Sequence, residues 1–137
     1  FVTICTKNRE CILSTIKEQN CCRGEHCSSD LLNELTKTGK ITEKYLNKIS
    51  TIYKNVTIDE YIIMPNHIHI ILIINEKQEV TISQVIQQLK GIISKELKQT
   101  IWQKLFYEHV IRCEKEYLKI KQYIQNNPYN WEDDIYN

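Results

Sequence analysis

The apolar positions of this chain change period as they go, and each change marks an element. Phe1 to Thr6 is β-branched and apolar, which reads as a strand, and Lys7-Asn8-Arg9-Glu10 is a polar exit from it. Residues 11 to 28 show no clean periodicity, hold Gly24 and a cysteine cluster, and read as a short β-excursion plus loop. From Ser29-Asp30, a reasonable N-cap, Leu31, Leu32, Leu35, Ile41, Tyr45, Leu46 and Ile49 recur at helical spacing, which predicts one helix or two. Val56 to Met64 and His67 to Ile74 read as strands joined by a turn at Pro65-Asn66. After a polar loop at Glu76 to Glu79, a helix starts at Thr81 or Ser83. Its apolar stripe is Val85, Ile86, Leu89, Ile92, Ile93 and Leu97. Trp102 to Ile111 suggests a fourth strand. A last helix runs from about Glu114 to Asn126 and stops at Pro128, with a polar tail that Trp131 is expected to anchor.

The order β-α-β-β-α-β-α predicts an α+β fold of the ferredoxin-like split βαβ plan. It is a four-stranded antiparallel sheet with two helices on one face, plus an added C-terminal helix. One domain over residues 1–137 is expected, and the absence of Met at Phe1 leaves room for a preceding piece.

Composition narrows the class only a little. The net charge of +1 means that any nucleic-acid binding must come from local patches. No apolar run approaches the roughly 18 residues of a membrane span, and no signal peptide is visible, so a cytoplasmic protein is expected. Six cysteines (Cys5, Cys11, Cys21, Cys22, Cys27 and Cys113) without a secretory context are expected as reduced thiols. The Cys21-to-Cys27 cluster, with His26, is a zinc candidate whose spacing fits no standard paired-cysteine site.

The informative chemistry lies inside the most apolar segment. His67 and His69 flank Ile68, so in a strand both imidazoles share a face while Ile68, Ile70 and Leu72 take the other. Two ring nitrogens so placed can grip one divalent ion, and burying them unpaired would be costly. On the last helix Cys113, Tyr117, Ile120 and Ile124 form a stripe toward the sheet, with Tyr123 at its edge. Lys119, Tyr123 and Asn127 follow one another four residues apart along one row.

Three stretches together carry a family resemblance. Met64-Pro65-Asn66-His67-Ile68-His69, Trp102 to Arg112, and Tyr123-Ile-Gln-Asn-Asn-Pro128 closely resemble the single-tyrosine HUH transposases, in the branch of REP-associated tyrosine transposases. The opening Phe1 to Cys11 also looks like the family's first strand, while residues 11 to 28 depart from its pattern. The resemblance implies His67, His69 and Asn127 as metal ligands and Tyr123 as nucleophile. The cofactor implied is Mg²⁺ or Mn²⁺. The implied reaction is transesterification of single-stranded or hairpin DNA through a 5′-phosphotyrosine link, with Lys119 a candidate to assist the phenol. Insertion-sequence relatives exchange the tyrosine helix in a dimer. The REP-associated branch is thought of as monomeric, which favours a monomer here over a homodimer.

Lys7, Asn8 and Arg9, the helix lysines Lys90, Lys95 and Lys98, and Lys104, Arg112 and Lys119 are the candidate DNA contacts, with solvated charge as the plain alternative. Two other functions stay open. One is a non-cleaving DNA-binding protein that keeps the fold and recognises repeat hairpins. The other is a zinc hydrolase drawing further ligands from Glu108 and His109.

Overall fold

The run after Pro65 becomes β5 (His67–Ile74), which lies inside a four-stranded antiparallel sheet and is covered on both faces. The computed structural model describes residues 1–19, 30–75 and 80–136. The sheet also contains β1 (Val2–Cys5), β4 (Val56–Ile63) and the short β6 (Tyr107–Glu108), in the order β4-β5-β1-β6. Between β1 and β4 come β2 (Ser14–Gln19), β3 (Asp30–Leu35), α1 (Lys37–Leu46) and α2 (Ile49–Ile52). α3 (Ile82–Leu97) follows β5, and α4 (Glu114–Asn126) follows β6. The fold class is the expected one, with a separate two-stranded β2–β3 hairpin added.

Register explains why one sheet can serve two purposes. Val2 pairs with Ile70 and Ile4 with Ile68, while the intervening Thr3 pairs with His69 and Cys5 with His67. Because side chains alternate, Val2, Ile4, Ile68 and Ile70 lie on one face. There they join Val85, Ile86, Leu89 and Ile93 of α3 and Leu46 of α1 in the core. Thr3, Cys5, His67 and His69 are left on the other. Thr81 caps α3 with a reciprocal capping box to Gln84, which sets the start of that helix where the sequence places it.

Two expectations are corrected. The helix expected from Ser29-Asp30 is instead β3, in which Leu31, Asn33 and Leu35 are half-buried and Leu32 and Glu34 exposed, a period of two rather than 3.6. α1 begins later, capped by Thr36, whose hydroxyl accepts from Gly39 N. The fourth strand shrinks to Tyr107–Glu108 plus one bridge between Thr6 and Trp102. Residues between them are held from both sides: Gln103 N donates to Cys5 O of β1, and Lys90 Nζ of α3 donates to Gln103 O and Leu105 O. The cysteine cluster at 21–27, Gly24 and the loop at 76–79 lie outside the described residues.

The start of α1 packs without slack. The Leu13 carbonyl accepts from Thr36 N and from Thr36 Oγ1, and a Cβ added at Gly39 would overlap that carbonyl oxygen. Gly91 on α3 has nothing within 4 Å of such a Cβ. Gly39→Ala should therefore lower unfolding free energy by about 1–3 kcal/mol through overpacking. Gly91→Ala should raise it by about 0.5–1 kcal/mol, both read from urea denaturation.

Candidate metal centre and nucleophile

Each histidine is turned by a partner at its Nδ1. Asn66 Oδ1 lies 2.8 Å from His67 Nδ1, and Thr3 Oγ1 lies 2.9 Å from His69 Nδ1. Asn66 Oδ1 is an acceptor only, so the proton of neutral His67 sits on Nδ1. The same tautomer at His69 lets its Nδ1–H donate to Thr3. Both Nε2 lone pairs then face one point, 3.1 Å apart. Both rings are fully buried. Burial, foremost, pushes His67 well below the usual imidazole range, although the nearby Asp134 pulls the other way. His69 is lowered to about 3 by burial and then by His67. The pair is thus neutral and able to donate lone pairs.

α4 and the tail close over this face. Tyr123 Oη lies 3.4 Å from His69 Nε2 and 3.4 Å from Asp134 Oδ2. Burial, then the Asp134 charge, pushes the Tyr123 phenol up to about 12. Asn127 ends α4 fully buried and donates from Nδ2 to Asp134 Oδ2 at 2.8 Å. Its amide stands close enough to His67 to favour protonation there, yet Oδ1 makes no hydrogen bond of acceptable geometry. A buried, unsatisfied amide oxygen beside two converging imidazole nitrogens is a donor set that fits a cation. Trp131 stacks on His67, and Tyr136 lies 5.1 Å from the His67 ring and 5.6 Å from the His69 ring. Tyr123, 38 % exposed, marks the open edge.

The structure brings together His67, His69, Tyr123 and Asn127. It adds Asp134, which sequence reasoning missed. Its carboxylate lies 3.9 Å from His67 Nε2, with its side chain 1 % exposed. Among the described residues, His67, His69 and Asp134 are the cluster of three such side chains whose ligand atoms all lie within 4.8 Å. Only the expectation that Trp131 anchors the tail hinted that something from 131–137 would return here. Asn66 was read as a turn residue, and its second task, orienting His67, was missed as well.

The other candidates scatter. Lys90 is corrected outright: it is buried and donates to loop carbonyls, so it is not available to DNA. Arg9 donates to Ile135 O at 2.9 Å and lies over the Tyr136 ring, which ties it to the tail. Lys7, Asn8, Lys95, Lys98, Lys104, Arg112 and Lys119 are exposed. Lys119 has no hydrogen bond or ion pair to Tyr123 among the described residues. His109 bonds to Glu116 at 2.7 Å at the sheet edge, so the Glu108/His109 ligand set is not assembled with the two histidines.

The sequence and the fold have known counterparts. The profile of the family described as IS200-like transposases matches residues 2–127. An uncharacterized protein of Haemophilus influenzae is 35 % identical over 159 aligned positions, covering 98 % of this chain and 82 % of its own. The solved structure of a REP-associated tyrosine transposase bound to a REP hairpin superposes with a TM-score of 0.70 at 20 % identity, over 95 % of this chain. This chain spans 66 % of that protein's length. Asp134 lies beyond the profile's last matched residue.

Buried neutral histidines make stability pH-dependent with a definite sign. Below an unfolded pKa of about 6.5 the unfolded chain binds protons that the fold refuses. Stability is then full above that value and falls as pH drops, toward about 3 for His69. Each histidine should contribute a slope of up to about 1.4 kcal/mol per pH unit. Urea midpoints taken at about pH 7.5 and about pH 5.5 should show this loss, and His69→Gln should make it shallower.

Proposed function

The chain belongs to the IS200-like transposase family, and on that premise we propose that it cleaves and rejoins single-stranded DNA beside a hairpin, with Tyr123 as nucleophile. The observation that carries this reading is the Tyr123 hydroxyl poised 3.4 Å from His69 Nε2, which itself lies 3.1 Å from His67 Nε2. No described helix is long and apolar enough to cross a membrane. The hairpin seen on the solved relative supports a hairpin as the ligand here.

In the proposed step the Tyr123 oxygen bonds to the scissile phosphorus and the bond to the 3′-oxygen breaks. The phosphate stays on the tyrosine as a 5′-phosphotyrosine. The phenol proton is given up to solvent at the edge where Tyr123 is 38 % exposed, and the departing 3′-oxygen takes one proton from solvent to become a 3′-hydroxyl. The reverse step joins another 3′-hydroxyl without any nucleotide cofactor, because the ester bond is conserved. Thr3 and Asn66 orient the histidines, and Asn127 holds Asp134 by its amide.

The donor set fits a divalent cation. His67, His69, Asn127 Oδ1 and Asp134 would hold it, and the mix of imidazole and oxygen suits Mn²⁺ or Mg²⁺. Such an ion, when bound, neutralises charge on a phosphate oxygen and lowers the barrier to in-line attack. Action as a monomer and a cytoplasmic location are proposed with this reading.

Two measurements decide. Protein incubated with labelled single-stranded hairpin DNA from its flanking repeats and Mn²⁺ should yield a covalent band on a denaturing gel, absent in Tyr123→Phe. Binding with no band under Mn²⁺ or Mg²⁺ would select the non-cutting reading. In calorimetric titration with Mn²⁺, Asp134→Asn should weaken affinity by about tenfold or more, and His69→Gln should weaken it further.

A further inference from the structure

α4 carries Tyr123 yet buries little of itself. Ile124 is its one buried residue, and Leu118 is 56 % exposed, so apolar burial alone does not define how this helix is rotated. Polar contacts on its other flank do. Tyr117 Oη donates to Asp59 Oδ2 at 2.8 Å. Lys121 Nζ lies 3.6 Å from Asp59 Oδ2 and 3.5 Å from Glu60 Oε2, and donates to the Tyr117 hydroxyl at 3.1 Å. Gln125 Nε2 donates to Glu60 Oε2 at 3.3 Å. Residues 117, 121 and 125 make one row along the helix.

Adjacent residues of a regular strand face opposite sides, so Asp59 and Glu60 should not both reach one helix. They do because β4 is irregular there. Ile58 pairs with Leu72 and Glu60 with Ile71, which leaves Asp59 as an extra residue, a β-bulge. Alternation resets at that point. Ile58 and Tyr61 keep to the core, and both carboxylates stand on the histidine face. Side-chain exposures of 32 % for Lys121, 23 % for Asp59 and 27 % for Glu60 leave the pairs partly desolvated, and salt still weakens them.

We propose that Asp59 and Glu60, set side by side by the β4 bulge, latch the Tyr117–Lys121–Gln125 row and so fix the rotation and height of the tyrosine helix on its own subunit. They are positioning residues for Tyr123, and the proposal rests on the reading of Tyr123 as nucleophile. Tyr123 lies roughly 200° round the helix from Lys121 and from Gln125, with the Ile120–Ile124 seam between the two flanks. A grip on one flank therefore sets the phenol on the other. A slip of one residue moves the hydroxyl by about 1.5 Å, and a misplacement of about 1 Å costs on the order of a hundredfold in rate.

The test compares Lys121→Glu, Lys121→Arg and the charge-balanced exchange Lys121→Glu/Asp59→Lys in the full chain. Three quantities are read: the single-turnover rate of covalent capture with Mn²⁺, hairpin affinity, and amide hydrogen exchange across α4. Lys121→Glu should slow capture by about tenfold or more, hold hairpin affinity within about threefold, and speed exchange in α4. Lys121→Arg and the exchanged pair should recover most of both rate and protection. Unchanged exchange in Lys121→Glu overturns the latch, whether or not the rate falls. A rate loss matched by an equal loss of hairpin affinity also overturns it, since the lysine then acts on DNA. If the unaltered protein forms no covalent product while exchange still responds to Lys121→Glu and to the exchanged pair, the latch stands and the nucleophile reading falls.

Discussion

Two neutral imidazoles buried on the second face of a sheet are the constraint from which the rest of this structure follows. β5 is interior, so both of its faces must be covered. On the first face Ile68 and Ile70 ask only for apolar neighbours, which α3 supplies. On the second, each ring needs a partner for its Nδ1 or it leaves a polar group unsatisfied in the interior. Asn66 and Thr3 meet that need. Those two partners in turn fix the β4–β5 turn and the β1 register, because Thr3 must stand opposite His69. The remaining ring edges must be roofed, and α4 with the tail does so through Tyr123, Trp131 and Tyr136.

What was legible in the sequence is what a single period or motif could carry. Alternation around Ile68 gave both histidines a common face. Thr81, one of two starts the sequence offered, and the Pro128 stop marked the ends of two helices, and the four-residue spacing put Tyr123 and Asn127 on one helix row, which the family resemblance alone brought to the histidines. What was not legible depends on partners distant along the chain. Leu31, Leu32 and Leu35 satisfy a helical spacing as well as an extended one, and only pairing with Ser14–Gln19 decides between them. Residues 103–106 look like strand, but beyond the Gln103 N–H bond to Cys5 O the carbonyls of Gln103 and Leu105 go to Lys90. Asp134 sits in a polar tail with no periodicity at all, and it acquires meaning only when Arg9 and Asn66 hold Ile135 and Tyr136 beside the histidines. The bulge left one trace, since the core residues Ile58 and Tyr61 stand three apart in a strand whose period is two.

The two faces differ in how they are held. The core face is close-packed aliphatic side chains, which tolerate little displacement. The histidine face is held by hydrogen bonds and ion pairs, several at exposed positions, and by a helix with one buried residue. Local opening follows buried apolar contact, so α4 and the tail belong to the less stable part of the molecule. That division suits the proposed function, in which the site would admit a nucleic-acid strand without disturbing the sheet that carries the histidines.

It also bears on the proposed chemistry. A transesterification that runs in both directions needs a tyrosine that is nucleophile in one direction and leaving group in the other. A phenol raised to about 12 by burial and by Asp134 is a strong nucleophile once ionised, but it is rarely ionised and leaves poorly. The same environment therefore opposes both directions until the negative charge around Tyr123 is offset. Asp134 is close to Tyr123 and to His67 alike, so a cation drawn to the imidazole nitrogens would neutralise the carboxylate that holds the phenol up. On the proposed reading, ligand set and nucleophile would be coupled through one side chain, Asp134, which comes from the tail beyond the matched family segment.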